Sequence, residues 1–510
     1  MLAILSAFAL GSVLMPLVVR GFGTRAFLVA AVIPLAAFVH ALLAGPTVLA
    51  GGVASESYSW IAELDVAVAV RLDTLSWVLA LVVCGVGALV LLYCVRYFGD
   101  DEPNLGRFAG VLLAFTGAMY GVVIADDVYA LFVFWEATSV LSYLLIGHKT
   151  ASKASRGAAL QALLVTTFGG LAMLVGLVLL AVETGTSSLS GIVAAAPTGA
   201  LPTVAIMLVL VGALSKSAIF PFHFWLPAAM AAPTPVSAYL HAAAMVKAGI
   251  YLVARLAPGF ADTPGWHEVL VGLGLVSMLL GGWTALRQHD LKLVLAYGTV
   301  SQLGFLMVVM GYGTRDAALA GLALLLAHAL YKSTLFLVVG IIDHRAGTRD
   351  LRKLSGLGRE APVLAVIAAL ALSSMVGLPP LLGFVAKEAV FTALLAGNDP
   401  LGWVALVGVA LGSALTVAYG VRFFWGAFAR KRDVVAVRRV HEHIDFLFAP
   451  ALLAASGLAL GILAPVVDRW LGGYARQFPA GEHPYHLALW HGLEPALAIS
   501  AATLQRYLRV

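Results

Sequence analysis

Four lysines lie where a membrane-spanning chain rarely carries charge: Lys216, Lys247, Lys332 and Lys387 each fall in the middle of a long apolar run. An ammonium group near the centre of a bilayer costs about 2.5 kcal/mol or more, so ionisable side chains there generally belong to an ion pathway, a proton relay or a buried pair. The four lysines therefore predict a protein that moves charge across a membrane.

One carboxylate also lies within an apolar run. Glu136 follows Trp135 in a segment that we predict to span the membrane. Loss of hydration favours the protonated form of an isolated carboxylate, whereas a nearby ammonium keeps it ionised. Lys216 is the candidate partner of Glu136. The alternative is a neutral, hydrogen-bonded glutamic acid with a structural role.

Two histidines accompany the buried lysines. His241 and Lys247 are six residues apart, about 9 Å of rise on a continuous helix, which suits successive proton-carrying positions. His328 and Lys332 are spaced i, i+4, on one helix face and close enough to exchange a proton through water. An imidazole titrates near neutral pH. For each histidine, a hydrogen-bonded ring with a structural role is the alternative interpretation.

The elements that must position these side chains are membrane-spanning helices. The mean hydropathy is +0.98 and only 11% of the 510 residues are charged, which excludes an ordinary soluble domain. Apolar runs of about 18–25 residues, long enough to cross a bilayer, recur along the sequence. We therefore predict an all-α polytopic membrane protein with about 14–15 transmembrane helices. The predicted spans are 2–19, 27–50, 72–95, 108–125, 128–147, 158–182, 201–226, 235–257, 266–286, 291–312, 317–342, 362–397, 402–425, 446–468 and 486–505.

Two of these runs contain helix-breaking residues near a lysine. Pro221 and Pro227 interrupt the run that contains Lys216, and a Gly-Leu-Pro-Pro segment at 377–380 interrupts the run before Lys387. Proline removes a backbone donor and clashes with the preceding turn, so each run should form a discontinuous helix. The breaks lie five predicted spans apart. An odd spacing reverses orientation and predicts two inverted five-helix repeats, each with a broken helix, as is typical of transporters.

The predicted organisation has four parts. They are N-terminal helices 1–3 at 1–105, the first inverted repeat at 106–260, the second at 261–427, and C-terminal helices 14–15 at 428–510. Most of the 31 basic residues then fall in loops on one side, which predicts an external N-terminus by the positive-inside rule. The first run lacks a basic n-region and a small-residue cleavage site, so we predict a span there and not a signal peptide.

Motifs for other chemistry are missing from the sequence. It contains no phosphate loop, no dinucleotide glycine motif, and no cysteine or histidine cluster for an iron–sulfur centre or haem. The His-Glu-His triplet at 441–443 looks metal-like, but it lies in a basic loop without a helix-spaced partner, so we interpret it as part of the surface. We therefore predict no cofactor and no metal. The loop charges account for the pI near 9.1 without a nucleic-acid partner.

Several segments resemble the antiporter-like subunits shared by respiratory complex I, membrane-bound hydrogenases and multisubunit Mrp Na+/H+ antiporters. The resemblance covers about residues 65–430, and its finer features are most similar to the N-terminal part of the Mrp A subunit. The segments that carry the family resemblance are FWEATS at 134–139, LSKS at 214–217, FHFWLP at 222–227, PTPVSAYLH at 233–241, DLKLVLAYGTVSQLG at 290–304, HALYK at 328–332 and GFVAKE at 383–388. Those that favour the A subunit are TTFGGLAM at 166–173, MVKAG at 245–249 and LWHG at 489–492.

The resemblance implies a core of about fourteen helices, a Glu136–Lys216 pair and a proton path along the membrane midplane. It also implies a multi-pass protein of the bacterial plasma membrane that exchanges Na+ for protons as one subunit of a hetero-oligomeric complex, and that is not itself an enzyme. The residues that would carry protons are Glu136, Lys216, His241, Lys247, His328, Lys332 and Lys387.

Two other functions remain open at this point. The chain could be a proton-pumping subunit of a redox complex, such as an NADH dehydrogenase or a hydrogenase, or the membrane subunit of an inorganic-carbon uptake complex. The A subunit of the Mrp antiporters normally continues well past the length of this sequence, so the resemblance leaves open whether the sodium path lies in this chain.

Overall fold

The chain folds into two compact units built almost entirely of apolar helices. The structure, a computed structural model, describes residues 1–61, 66–397, 400–437, 443–479, 485–492 and 494–505. The first unit comprises Met1–Leu240 and Ala244–Val269, and the second comprises His241–Ala243 and Leu270–Val510. Within the described residues, ten helical segments are long and apolar enough to cross a membrane, with three shorter apolar helices beside them. The prediction of an all-α polytopic membrane protein is confirmed.

Among its described residues, the first unit contains eleven α-helices and one β-hairpin. In chain order these are α1 Leu2–Phe22, α2 Ala26–Leu49, β1 Ala54–Ile61, β2 Val66–Leu72, α3 Thr74–Tyr97, α4 Leu105–Ile124, α5 Val128–Ile146, α6 Lys153–Thr184, α7 Leu189–Ala195, α8 Ala200–Lys216, α9 Trp225–Ala228, α10 Thr234–Leu240 and α11 Lys247–Phe260.

The second unit contains the remaining helices, the first of which begins just before the unit does. They are α12 Trp266–Arg287, α13 Leu291–Gly311, α14 Arg315–Ala346, α15 Leu357–Glu360, α16 Pro362–Val376, α17 Leu382–Leu395, α18 Pro400–Phe428, α19 Ile444–Ile462, α20 Ala464–Ala475 and α21 Pro495–Gln505. Helix α14 is the central helix of this unit, since it packs against α13, α16, α17, α19 and α20.

Carboxylate and hydroxyl side chains fix where several of these helices begin. The Asp127 carboxylate accepts hydrogen bonds from the backbone N–H groups of Tyr129 and Ala130 at the start of α5, both at 2.9 Å. Asp290 caps α13 and Thr314 caps α14 in the same way. These caps satisfy backbone donors that the first helical turn leaves without partners.

Small residues let α6 and α8 approach closely. A Cβ atom on Gly212 of α8 would lie 2.9 Å from the carbonyl oxygen of Gly169 on α6. Gly176 of α6 faces Ala205 and Val209 of α8 in the same manner. Close backbone approach through small residues is a common way for helices to associate in membranes, where apolar burial gives little driving force. This contact brings the end of α8 beside α6.

The two predicted helix breaks are confirmed. Helix α8 ends at Lys216, before Pro221, and a gap of five residues separates α16 from α17 around the Pro379–Pro380 pair. The inverted repeat and the four predicted parts of the chain stay predictions.

Three expectations were wrong in detail. The run 235–257 is not one helix, because 241–246 is non-helical and separates α10 from α11. Residue 463 separates α19 from α20 within the run 446–468, where Pro465 lies in the first turn of a new helix. Among the described residues of the run 486–505, only Pro495–Gln505 is helical.

The β-hairpin was also missed. Strands β1 and β2 pair antiparallel, with Ala54 opposite Leu72 and Tyr58 opposite Val68. The segment is too short and too polar to register as a membrane span, and its alternation of polar and apolar residues is typical of a half-exposed strand.

A buried ion pair joins α3 to α11 within the first unit. Arg255 donates to both carboxylate oxygens of Asp73, the N-cap of α3, and to the Ser76 hydroxyl at 2.6 Å. Arg255 and Asp73 are 8% and 5% exposed. Arg255 lies inside α11, where the Asp73 carboxylate makes its burial tolerable.

We predict that Arg255→Met lowers the unfolding temperature of the purified protein, because it leaves the buried Asp73 carboxylate without its main partner, at a cost of about 3 kcal/mol. Thermal unfolding in detergent measures this. Arg352→Gln is the matched control, since Arg352 pairs with Asp350 on an exposed loop and its loss should change little. Equal unfolding temperatures for Arg255→Met and the unsubstituted protein would contradict the prediction.

Candidate functional site

Lys216 is the last residue of α8 and is fully buried. Its Nζ atom donates to the backbone carbonyl of Trp135 at 2.9 Å and to the Ser139 hydroxyl at 2.8 Å, both on α5. The ammonium also lies 5.1 Å from the centre of the Trp135 ring, within the range of a cation–π contact. Oxygen atoms and a ring face thus replace the water that burial removes.

Glu136 does not form the expected direct ion pair with Lys216. Its Oε2 atom accepts a hydrogen bond from the Thr167 hydroxyl of α6 at 2.9 Å. Among the described residues, its Oε1 atom has no hydrogen-bond partner, and no oxygen of Glu136 lies within 4.0 Å of the Lys216 ammonium. The physical reason is that Lys216 reaches α5 at the Trp135 carbonyl, whereas the Glu136 side chain extends towards α6.

Lys247 begins α11 directly after the unpredicted break, and it is 1% exposed. The residue before it, Val246, accepts a hydrogen bond at its carbonyl oxygen from the Ser217 hydroxyl at 2.7 Å. Ser217 in turn follows Lys216. One hydrogen bond between two helix breaks therefore lies next to both buried lysines of the first unit, and neither sequence spacing nor periodicity indicated it.

Lys332 lies on α14 in the second unit and is fully buried. Its Nζ atom donates to the carbonyl of Leu295 on α13 at 3.3 Å, and the Thr299 hydroxyl donates to the same carbonyl at 2.8 Å. The ammonium lies 5.7 Å from the centre of the Tyr419 ring. A Cβ atom on Gly298 would lie 3.0 Å from this Nζ atom, so a glycine at 298 leaves room for the ammonium.

His328, one turn before Lys332, borders a polar network. Its ring centre lies 5.5 Å from that of Tyr331, whose hydroxyl donates to the Gln302 side-chain oxygen at 2.9 Å. The Gln302 amide then donates to the Thr416 hydroxyl on α18 at 3.0 Å. The predicted i, i+4 arrangement of His328 and Lys332 on one continuous helix is confirmed.

His241 is buried in the second unit, in the non-helical segment 241–246. The two-turn helical spacing expected between His241 and Lys247 is therefore wrong. Lys292 of the same unit is also buried and is 1% exposed. The sequence placed Lys292 at the end of a span, where solvation is the ordinary expectation, so its burial was missed.

Lys387 lies on α17 and is 4% exposed. Its Nζ atom donates to the carbonyl of Val376, the last residue of α16, at 3.0 Å. The negative end of a helix dipole stabilises a cation, so α16 supplies part of the counter-charge. Gly377 makes the turn that follows with a φ of 88°, a conformation that favours glycine.

A common arrangement emerges at three of the lysines. Lys216, Lys332 and Lys387 each donate to a backbone carbonyl oxygen, at Trp135, Leu295 and Val376 respectively. No group of three or more metal-ligating side chains occurs among the residues that the structure describes. Buried, carbonyl-held lysines on broken and continuous membrane helices are suited to carrying protons.

The fold and these sites define a polytopic membrane protein with buried lysines inside its helices. A family model described as NADH:quinone oxidoreductase/Mrp antiporter, TM, matches residues 125–412, and one described as NADH-Ubiquinone oxidoreductase (complex I), chain 5 N-terminus, matches residues 59–109. The first covers more than half of the chain. The chain belongs to this family of complex I and Mrp antiporter membrane subunits.

Similar proteins indicate which subunit within this family the chain resembles. It is 40% identical to the A subunit of the Na(+)/H(+) antiporter of Alkalihalophilus pseudofirmus, over 91% of this chain and 62% of the relative. It is 39% identical to the A/B subunit of a probable K(+)/H(+) antiporter of Rhizobium meliloti, over 90% of this chain and 47% of that protein. The chain is a homologue of the Mrp antiporter A subunit, and it spans about half to two-thirds of the length of these relatives.

Solved structures agree with this placement. A chain in the structure of the Mrp complex from Dietzia sp. matches with a TM-score of 0.90 and 37% identity, over 99% of this chain and 55% of that one. A chain of an archaeal membrane-bound sulfane sulfur reductase shares the fold, with a TM-score of 0.81 at 22% identity, over 94% of this chain and 99% of that one. The second likeness concerns the fold alone.

We predict that Gly377→Ala destabilises the protein more than Gly347→Ala. Both glycines have a positive φ, 88° and 66°, so each substitution has a conformational cost of about 1 kcal/mol. Only at Gly377 would the new Cβ meet a lysine, at 2.8 Å from the Cδ atom of Lys387, whereas nothing lies within 4 Å at Gly347. Unfolding temperatures of the two variants test this, and equal losses would show that the Lys387 side chain moves aside without cost.

Proposed function

We propose that this chain is the proton-translocating part of a multisubunit monovalent cation/proton antiporter, with Na+ as the cation. The observation that carries the proposal is the set of buried lysines that donate to backbone carbonyls in both units. The names of the relatives, which are antiporter subunits for Na+ or K+, support the reaction. On this proposal the chain belongs to a secondary transporter and is not an enzyme.

The hydrogen bonds of Lys216 suit a group that changes protonation state. An ammonium has three N–H donors, and Lys216 uses two of them, for Trp135 and Ser139. After it loses one proton, the neutral amine keeps two N–H groups and gains a lone pair. Lys216 can therefore release and regain a proton without breaking either hydrogen bond. Burial without a directly bonded carboxylate lowers the cost of the neutral form relative to the charged one.

We propose the same role for the other predicted positions. Lys247, Lys332 and Lys387 would receive and release protons in turn, with His241 and His328 beside them and Glu136 adjusting the charge state of Lys216. Water between these positions would complete the transfer, since i, i+4 neighbours such as His328 and Lys332 lie within reach of one bridging molecule.

The setting of the proposed antiporter follows from the same relatives. We propose that the chain works in the bacterial plasma membrane, with its N-terminus outside, as one of several membrane subunits that together exchange protons for Na+. The two inverted five-helix repeats would alternate access to the lysines from the two sides of the membrane.

The test is cation-dependent proton flux in inverted membrane vesicles that carry the intact complex. We expect Lys216→Ala and Glu136→Ala each to lower Na+-driven flux at least about tenfold, the effect of a barrier higher by about 1.4 kcal/mol. Lys149→Ala is the matched control, because Lys149 is an exposed lysine and its removal changes the formal charge equally.

Two results would contradict this proposal. Unchanged Na+-driven proton flux in both Lys216→Ala and Glu136→Ala would show that protons do not pass through these residues. Vesicles that respond to no cation but pump protons when given a redox substrate would place the chain in a redox complex instead.

A further inference from the structure

The Glu136 carboxylate is bound by a residue of the TTFGGLAM segment at 166–173 that was not among the predicted proton-carrying residues. Thr167 of α6 donates its hydroxyl hydrogen to the Glu136 Oε2 atom at 2.9 Å. The neighbouring Thr166 behaves differently, since its hydroxyl donates to the Ala162 carbonyl of its own helix at 2.9 Å. Of the two adjacent threonines, Thr166 therefore donates to its own helix backbone and Thr167 donates to the carboxylate.

The backbone of α6 is shaped to receive this carboxylate. A Cβ atom at Gly170 would collide with the Glu136 Oε1 atom and would lie 3.3 Å from the Trp135 ring. Glycine at this position thus leaves a space in α6, one turn after Thr167, that the carboxylate fills. Two features of one helix, a donor and a space, position the same side chain.

A Glu136 carboxylate that is bound to Thr167 does not form a salt bridge with Lys216. The Lys216 ammonium donates to Trp135 and Ser139 of α5 and not to Glu136. The Glu136 Oε1 atom has no partner among the described residues, so the carboxylate retains acceptor capacity. A hydrogen bond to a carboxylate is stronger than one between neutral groups, and it opposes the pull of the ammonium.

We propose that Thr167 is a positioning residue for proton transfer, whose hydroxyl holds the Glu136 carboxylate on α6, away from Lys216. While Thr167 binds Glu136, the Lys216 ammonium lacks a direct carboxylate partner and releases its proton readily. When the carboxylate leaves Thr167, it can pair with Lys216 and stabilise the charged form. The inference rests on the proposed function, and Thr167 acts only through Glu136.

The experiment compares Thr167→Val with Thr166→Val and Thr167→Ser in the intact complex. Valine removes the hydroxyl and keeps the side-chain volume. We expect Thr167→Val to lower the maximal rate of Na+-driven proton flux about tenfold and to leave the KM for Na+ unchanged, because a carboxylate paired with Lys216 retards proton release. Thr167→Ser should recover most of the lost rate, and Thr166→Val should match the unsubstituted complex.

A double-mutant cycle tests the contact between Thr167 and Glu136 by stability, without any measurement of proton flux. The unfolding temperature is measured for Thr167→Val alone and in a Glu136→Ala background. We expect Thr167→Val to lower it in the first case and to have no further effect in the second, since no carboxylate is left to bind. An equal decrease in both backgrounds would show a role unrelated to Glu136 and would overturn the inference.

The flux results separate the two proposals. A normal rate of proton flux in Thr167→Val, or a loss of flux in Thr166→Val equal to that in Thr167→Val, overturns the inference about Thr167. The proposed function is unaffected by either result as long as Lys216→Ala loses flux. Unchanged flux in both Lys216→Ala and Glu136→Ala rejects the proposed function and, with it, the role of Thr167.

Discussion

An ammonium group buried in an apolar interior needs hydrogen-bond acceptors, and the rest of this structure depends on how that need is met. A full counter-charge would hold each lysine in its protonated form. Backbone carbonyls act more weakly, because they carry only partial charge. Trp135, Leu295 and Val376 supply such carbonyls to Lys216, Lys332 and Lys387. The lysines are therefore solvated by partial charges of the protein.

An interrupted helix supplies the carbonyl that Lys387 binds, whereas Trp135 and Leu295 lie inside the continuous helices α5 and α13. In a regular helix the carbonyls are already bonded to the following turn, whereas those at a helix end are available. Val376 is such an end, and the α16–α17 break brings Lys387 back to it. At the other broken helix, Ser217 satisfies the carbonyl of Val246, so two adjacent breaks support each other. Irregular backbone at membrane depth persists only where such partners exist.

Glycines determine how closely the charged side chains approach their surroundings. Gly170 leaves space for the Glu136 carboxylate, Gly298 for the Lys332 ammonium, and Gly377 for the Lys387 side chain. Larger residues would push each charged group away from its acceptor. The buried pair of Arg255 and Asp73 follows the opposite principle, with full charges in direct contact, and joins two helices firmly. The buried lysines and this ion pair thus differ in the partners that they contact.

Composition and spacing alone predicted the class of protein, the position of most helices and four of the buried lysines. Hydropathy over long windows and the insertion cost of a charge are local properties, and they can be read without knowing the fold. The tertiary structure decided the partners. It placed Glu136 on Thr167 and not on Lys216, broke the helix between His241 and Lys247, and buried Lys292 and Arg255. These outcomes depend on contacts between helices that are distant in the sequence. Many of the partners are backbone carbonyls, and because every residue carries one, the sequence does not show which carbonyl a lysine will bind.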